Sequence, residues 1–187
     1  MPAFPDLTAP LTGPAATVRV ALEWDIPEVL IAHQDDPDLS RRLGLSRPPS
    51  GAELGRRVDE SAAERAAGRG VWLTILTPGG DDFRGQVEVH GVDWDHGRAE
   101  LAIWITPRDR GRGLATAALA LVGRWLLADC GLERVELLTE PGNEAMLRSA
   151  AAAGFTREGR LRGYRLERGQ RIDIVPMSLI RGDLELA

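Results

Sequence analysis

The 187-residue chain contains no lysine: all 23 basic residues are arginine, and there is one cysteine and one tyrosine. The single cysteine, Cys130, excludes an intrachain disulfide and a cysteine-based metal site. The three histidines, His33, His90 and His96, lack the spacing of metal ligands, so no metal is expected. No apolar run approaches the roughly 20 residues that cross a bilayer. The N-terminus lacks the basic-then-apolar pattern of a secretory signal. No membrane partner is therefore expected, and the cytoplasm is the default location. A net charge of −5 counts against direct nucleic-acid binding, which needs a basic surface. The absence of lysine reads as a composition bias, with one consequence: no lysine can serve as acceptor in self-modification. What is present, 43% apolar and 27% charged residues, is ordinary for a soluble globular chain of one domain.

Residues 1–15 carry four prolines and little periodicity, and read as a loose arm ahead of one domain over 16–187. A strand is expected over 17–22. Asp25 with Glu28 predicts a capped helix start, and Ser50 with Glu53 predicts a second, running to about Ala67. Strands follow over 71–76, 83–92 and 98–105, then a helix over 112–128 with Leu114, Ala118, Leu121, Val122 and Trp125 on one face. A strand over 135–138, a small-residue helix over 143–153, and a hairpin of 155–162 with 171–179 complete the order. That order is α/β with a mixed sheet, without the regular alternation of a doubly wound fold.

The most informative stretch is Arg108-Asp109-Arg110-Gly111-Arg112-Gly113-Leu114-Ala115. It links the apolar strand 101–105 to the start of a long helix. The first backbone N–H groups of a helix lack internal partners and sit at the positive end of its dipole. Gly111 and Gly113 let a ligand approach the backbone, and three arginines add charge. In an acidic chain this local cluster suggests a small phosphorylated ligand. A plain strand-to-helix turn would also be Gly-rich. The Gly-x-x-x-x-Gly-Lys-Ser/Thr pattern of nucleotide triphosphatases is absent, and a Rossmann site fits poorly with a loop that follows three strands.

With this loop, two further motifs carry a resemblance. Pro141-Gly142-Asn143-Glu144-Ala145 is followed by Gly154-Phe155 eleven residues after Asn143, and the chain ends with Glu158-Gly159, Ile172-Asp173 and Ser178-Leu179. Over roughly residues 17–182 the chain resembles the GNAT superfamily of acyl-CoA N-acyltransferases, most of all its RimJ/RimL-like branch. The resemblance implies a GNAT fold: a mixed, mostly antiparallel sheet of about six to seven strands, about four flanking helices and splayed central strands. It implies acetyl-CoA as co-substrate and an amine, a protein N-terminus or a small molecule, as acceptor. Homodimerisation is suggested by the family alone.

On this likeness the pantetheine arm would pair with the backbone of Ile103, Trp104 and Ile105. The family's Arg-x-x-Gly-x-Gly motif falls on Arg108, Gly111 and Gly113. The pyrophosphate would sit on the N–H groups of Arg110, Gly111, Arg112, Gly113, Leu114, Ala115 and Thr116. Asn143 would contact the pantetheine. Glu100 is the candidate base: it shares a strand face with Ala102 and Trp104, where desolvation would raise its pKa. An edge carboxylate paired with Arg98 is the plainer reading. Two positions depart from the family. The tyrosine expected seven residues after the motif asparagine is Ala150, and the serine expected three residues after it is Met146. Both leave the departing thiolate without a side-chain acid, and a CoA-binding module with little or no catalysis is the alternative. Arg160 and Arg162 could favour an acidic donor such as succinyl-CoA, or simply form a solvated strand face. Tyr164, His90 and His96 could border the acceptor site. Cys130, Trp24, Trp72 and Trp125 read as packed residues.

Overall fold

Alternation along the strands accounts for most of the architecture. In the computed structural model, which describes residues 3–5 and 7–185, the strands are β1 (Leu11–Thr12), β2 (Thr17–Val20), β3 (Val71–Leu76), β4 (Phe83–Asp93), β5 (Arg98–Ile105), β6 (Arg134–Thr139), β7 (Thr156–Arg157), β8 (Leu161–Glu167) and β9 (Gln170–Ile180). The helices are α1 (Ile26–Asp35), α2 (Leu39–Arg42), α3 (Gly51–Ala66), α4 (Leu114–Arg124) and α5 (Glu144–Ala152). The sheet runs β1-β2-β3-β4-β5-β6-β9-β7, with β8 paired to β9. Among the described residues every pair is antiparallel except β5 with β6.

Both faces of the sheet are covered. Val71, Leu73 and Ile75 of β3 join α4 residues Ala118, Leu119 and Val122 in the main core. Trp72, between them in sequence, faces the other way, against Val29 of α1 and Leu54 of α3. All six residues of β3 are therefore buried, as expected for a strand packed on both sides. On β5, Ala99, Leu101 and Ile105 enter the main core, while Trp104 packs with the second cluster.

Several expectations are corrected. The strand count is nine among the described residues, because two dipeptide strands, β1 and β7, extend the edges, and α2 was not anticipated. The strand expected over 155–162 is split. β7 pairs with β9 as far as Arg157↔Met177, and β8 pairs from Leu161↔Ile174. Pro176 lies between: its carbonyl accepts from the Glu158 N–H at 3.0 Å, but with no N–H it cannot give the return bond of the pair. Asp25 makes no side-chain cap to α1. Its carboxylate is buried and takes hydrogen bonds from Arg19 Nη1 (2.8 Å), Thr74 Oγ1 (2.7 Å) and the Leu22 N–H (2.9 Å). Trp24, read as core, is 72% exposed, with the Arg19 guanidinium 5.6 Å from its ring centroid. The segment read as a loose arm packs where it is described. Leu7 is buried, Phe4 stacks on Trp125 with centroids 5.5 Å apart, and β1 pairs with β2. Met1, Pro2 and Asp6 of that segment lie outside the described residues.

The helix expected over 112–128 is α-helical only to Arg124. Residues Trp125–Asp129 form a π-turn, closed by the Cys130 N–H donating to Trp125 O at 3.0 Å. The Arg181 guanidinium donates to the Leu127 carbonyl at 2.7 Å.

The second capping box forms as read. The Glu53 N–H donates to Ser50 Oγ at 3.3 Å, and the Ser50 N–H donates to Glu53 Oε2 at 2.7 Å. Ser50→Ala should cost about 1 kcal/mol of stability, measurable as a shift in the urea midpoint at constant slope.

Candidate active site

The parallel ladder between β5 and β6 runs from Arg98↔Arg134 to Leu101↔Leu137 and stops there. Beyond it β5 continues along β4 to Ile105, and β6 continues along β9 to Thr139. The two central strands have come apart, as the family likeness implied. Among the described residues, one edge of β5 from Ala102 to Ile105 is left without a partner strand. A cavity of about 1490 Å³ lies across the opening, and its lining includes Glu100, Trp104, Gly113, Ala115 and Asn143.

At one end of the cavity stands the start of α4. Gly111 and Gly113 have φ of 75° and 77°, a region that costs side-chain-bearing residues energy, and a Cβ on either would meet nothing within 4 Å. The glycines thus serve backbone conformation and leave open space above the turn. Gly113 is the N-cap of α4 and no side chain caps the helix, so its leading N–H groups present a positive end. The turn is anchored from below by Asp109, which is 2% exposed. Its carboxylate accepts from Thr106 Oγ1 (2.6 Å), Arg84 Nη1 (3.1 Å) and Arg112 Nη1 (3.1 Å). Burial alone would raise Asp109, but the Thr106 hydroxyl and the arginines outweigh it and hold the carboxyl below its ordinary value.

The three loop arginines are not free charges. Arg108 pairs with Glu28 of α1 at 2.8 Å, Arg112 with Asp109, and Arg110 with Asp36 just past α1. Arg110 Nε also donates to the Ile105 carbonyl at 3.2 Å. Their charge is partly neutralised by these carboxylates.

At the other end, Glu100 stands in register with His90 of β4 and Glu136 of β6. His90 Nε2 lies 3.7 Å from Glu100 Oε1. Burial lifts the Glu100 carboxyl above the ordinary carboxylate range; His90 pulls it down and Glu136 pushes it up. Arg98, the partner in the plainer reading, instead pairs with Asp93 at 3.4 Å. Asn143 is the N-cap of α5: its Oδ1 accepts from the Met146 N–H at 3.2 Å, leaving the amide N–H2 as a donor.

His90 and Tyr164 line the cavity; His96 does not, and pairs with Asp93 at 3.0 Å on the surface. Arg160 is engaged by Asp173, which weakens the motive for an acidic donor. Cys130 lies half-buried with its thiol pushed up to about 12 by burial and Asp129, which disqualifies it as a nucleophile. Sequence reading missed Asp109 as the anchor of the loop, Asp36 as the partner of Arg110, and Gln86 on the cavity floor. The first sits inside the motif itself, where an acid among three arginines was a usable signal. The other two depend on tertiary neighbours alone.

Known proteins share this architecture. RimL, a ribosomal L7/L12 α-N-protein acetyltransferase solved with coenzyme A, superposes with a TM-score of 0.80 at 15% identity, covering 92% of this chain and 98% of that one. RimJ of Mycobacterium smegmatis, solved with a CoA-disulfide, gives 0.76 at 22% identity, covering 94% and 88%. In sequence, the uncharacterized N-acetyltransferase p20 of Bacillus licheniformis is 23% identical over 163 residues, 86% of this chain and 90% of that one. The acetyltransferase (GNAT) domain model matches residues 17–156, well over half of the chain, and the chain belongs to that family.

Proposed function

We propose that the protein transfers an acetyl group from acetyl-CoA to a primary amine by direct attack, using the opening between β5 and β6. The observation that carries this reading is the single cavity reaching both the uncapped start of α4 and the raised carboxyl of Glu100. A long, bent, anionic thioester fits that layout. Its pyrophosphate would rest on the N–H groups of the turn from Arg110 to Thr116. Its pantetheine amides would pair with the backbone of Ile103, Trp104 and Ile105, next to the Asn143 amide.

The chemistry then needs little else. Holding amine and thioester in line supplies much of the rate by removing the entropy of encounter. As the amine nitrogen bonds to the acetyl carbon, Glu100 takes the proton, directly or through one water, and the C–S bond breaks. The raised carboxyl suits that task better than an ordinary one. Ala150 and Met146 offer no proton, so the thiolate takes one from water. His90 is placed to orient Glu100. The acceptor would be a protein N-terminus or a small-molecule amine, and the cytoplasm, where acyl-CoA donors are made, is the proposed setting.

The test is amine-dependent release of CoA thiol from acetyl-CoA across a panel of peptides and small amines. Turnover above the no-amine rate supports the transferase. Micromolar acetyl-CoA binding without turnover on any amine would favour the non-catalytic CoA-binding reading, for which Met146 and Ala150 speak. No binding would sink both.

A further inference from the structure

Gln86 is the one side chain with its entire hydrogen-bonding capacity buried and unspent among the described residues. It is 1% exposed, and neither Oε1 nor Nε2 has a partner. It lies on β4 in the middle of the sheet and lines the cavity. In register it is flanked by Thr74 of β3 and Trp104 of β5. Neither neighbour serves it: Thr74 spends its hydroxyl proton on Asp25 at 2.7 Å, and Trp104 packs its ring against Phe83 with centroids 5.8 Å apart. Along β4 the same face continues through Glu88 and His90, and along β5 through Ala102 and Glu100. Gln86 therefore stands on the face that carries the proposed base, four residues from the partner of that base.

A buried carboxamide with both groups unpaired costs stability, on the order of 1–3 kcal/mol, and such groups are rare in folded proteins. An apolar residue of similar size would serve the packing better at a position in register with Trp104, which itself packs with the second apolar cluster. The polar atoms point to a partner that arrives with the ligand. A carboxamide donates and accepts side by side, so its best complement is a group that does both. An amide does so; an ammonium only donates, and an alkyl chain does neither.

We infer that Gln86 is a specificity-determining residue for the acceptor, pairing with a neutral donor–acceptor group carried some way from the reacting amine, since four residues of strand, about 13 Å, separate it from the partner of Glu100. The inference rests on the transferase reading above and deepens it. A site that buries unpaired polar atoms against the wrong substrate rejects it more strongly than an apolar pocket rejects a missing methylene. Acceptors with an amide beyond the residue that carries the reacting amine, such as dipeptide amides, should thus be preferred over acceptors of the same length that end in an alkyl group.

The experiment compares wild type with Gln86→Leu, which removes both polar groups at similar volume. Thermal melts come first. The variant should melt higher than wild type, by roughly 3 °C, because the buried unpaired amide is gone. A lower melting temperature would mean that Gln86 already has a structural partner, and would overturn the inference whatever the activity. Rates are then measured with alanyl-alaninamide and with the N-(1,2-dimethylpropyl) amide of alanine, which share the same reacting amine and differ only in the terminal carboxamide. In wild type the ratio of kcat/KM should favour alanyl-alaninamide by about tenfold or more. In Gln86→Leu the ratio should collapse toward unity through loss on alanyl-alaninamide, with acetyl-CoA affinity by calorimetry unchanged. A ratio that survives in the variant, or a loss of donor affinity instead, would overturn the assignment while leaving the transferase standing. No turnover of any amine by wild type would remove the transferase reading, and the inference with it.

Discussion

Gly113→Glu is expected to weaken acetyl-CoA binding by more than about 100-fold, measured by calorimetry against wild type. Two effects act together. The position has φ of 77°, so any side chain strains the backbone by about 1–2 kcal/mol. More important is the charge. The glycine is the N-cap of α4, and nothing within 4 Å would obstruct a Cβ. A glutamate there reaches freely over the helix start and places a carboxylate where the pyrophosphate is proposed to sit, competing for the same N–H groups. Gly113→Ala separates the two effects. It carries the backbone strain without the charge, and should bind within about tenfold of wild type. Equal binding by wild type and Gly113→Glu would show that the turn is no more than a strand-to-helix connection.

Glu100→Gln is expected to lower kcat/KM by roughly 10²- to 10⁴-fold near neutral pH, the range of a lost general base. Acetyl-CoA affinity should not change. The pH profile is the sharper readout. A base works only when deprotonated, so the wild-type rate should rise with pH through the Glu100 pKa and then level off. Because burial raises that pKa, the rise should lie above the ordinary carboxylate range. In the glutamine variant this limb should vanish. Stability follows from the same shift with its own sign. A carboxyl whose pKa is higher folded than unfolded favours folding while protonated, below the unfolded pKa. It loses that contribution as pH rises through the folded value. Glutamine mimics the protonated form at every pH, so the variant should melt no lower than wild type at neutral pH. A variant that loses activity and also unfolds earlier would mark Glu100 as structural.

Much of this was legible because it is local. β3 and β5 span 71–76 and 98–105 as read, since apolar runs bounded by glycine and proline turns specify their own ends. The box at Ser50 and the short helix expected from 143 also depend on residues within a few positions. The misreadings have distant causes. Asp25 has the sequence of a cap, but Arg19 and Thr74 claim its carboxylate from neighbouring strands. Trp24 has the composition of core, yet it lies in a turn outside both clusters. Pro176 was visible, but that it would divide a partner strand depended on register, which no single segment contains. At the site, the loop and Glu100 were found from pattern and periodicity. That the loop arginines would be neutralised by Glu28 and Asp36 needed the placement of α1. Gln86 carries no local mark at all.

The π-turn at Trp125–Asp129 bears on how this chain tolerates changes in length. Trp125, Leu126 and Leu127 are 3%, 0% and 0% exposed, three successive side chains turned inward. At about 100° per residue an α-helix would spread them over more than half its circumference and bring one toward solvent. One extra residue in the turn removes that conflict, and Arg181 takes up the Leu127 carbonyl, one of those left unpaired at the end of the helical segment. The misfit is absorbed before β6 begins, so the phase of α4 upstream and the register of β6 downstream are both preserved. Deleting one residue from 125–129 should therefore revert the turn to α-helix with little change at Gly113 or Leu137. Deleting one from 114–124 would rotate the whole helix against the sheet.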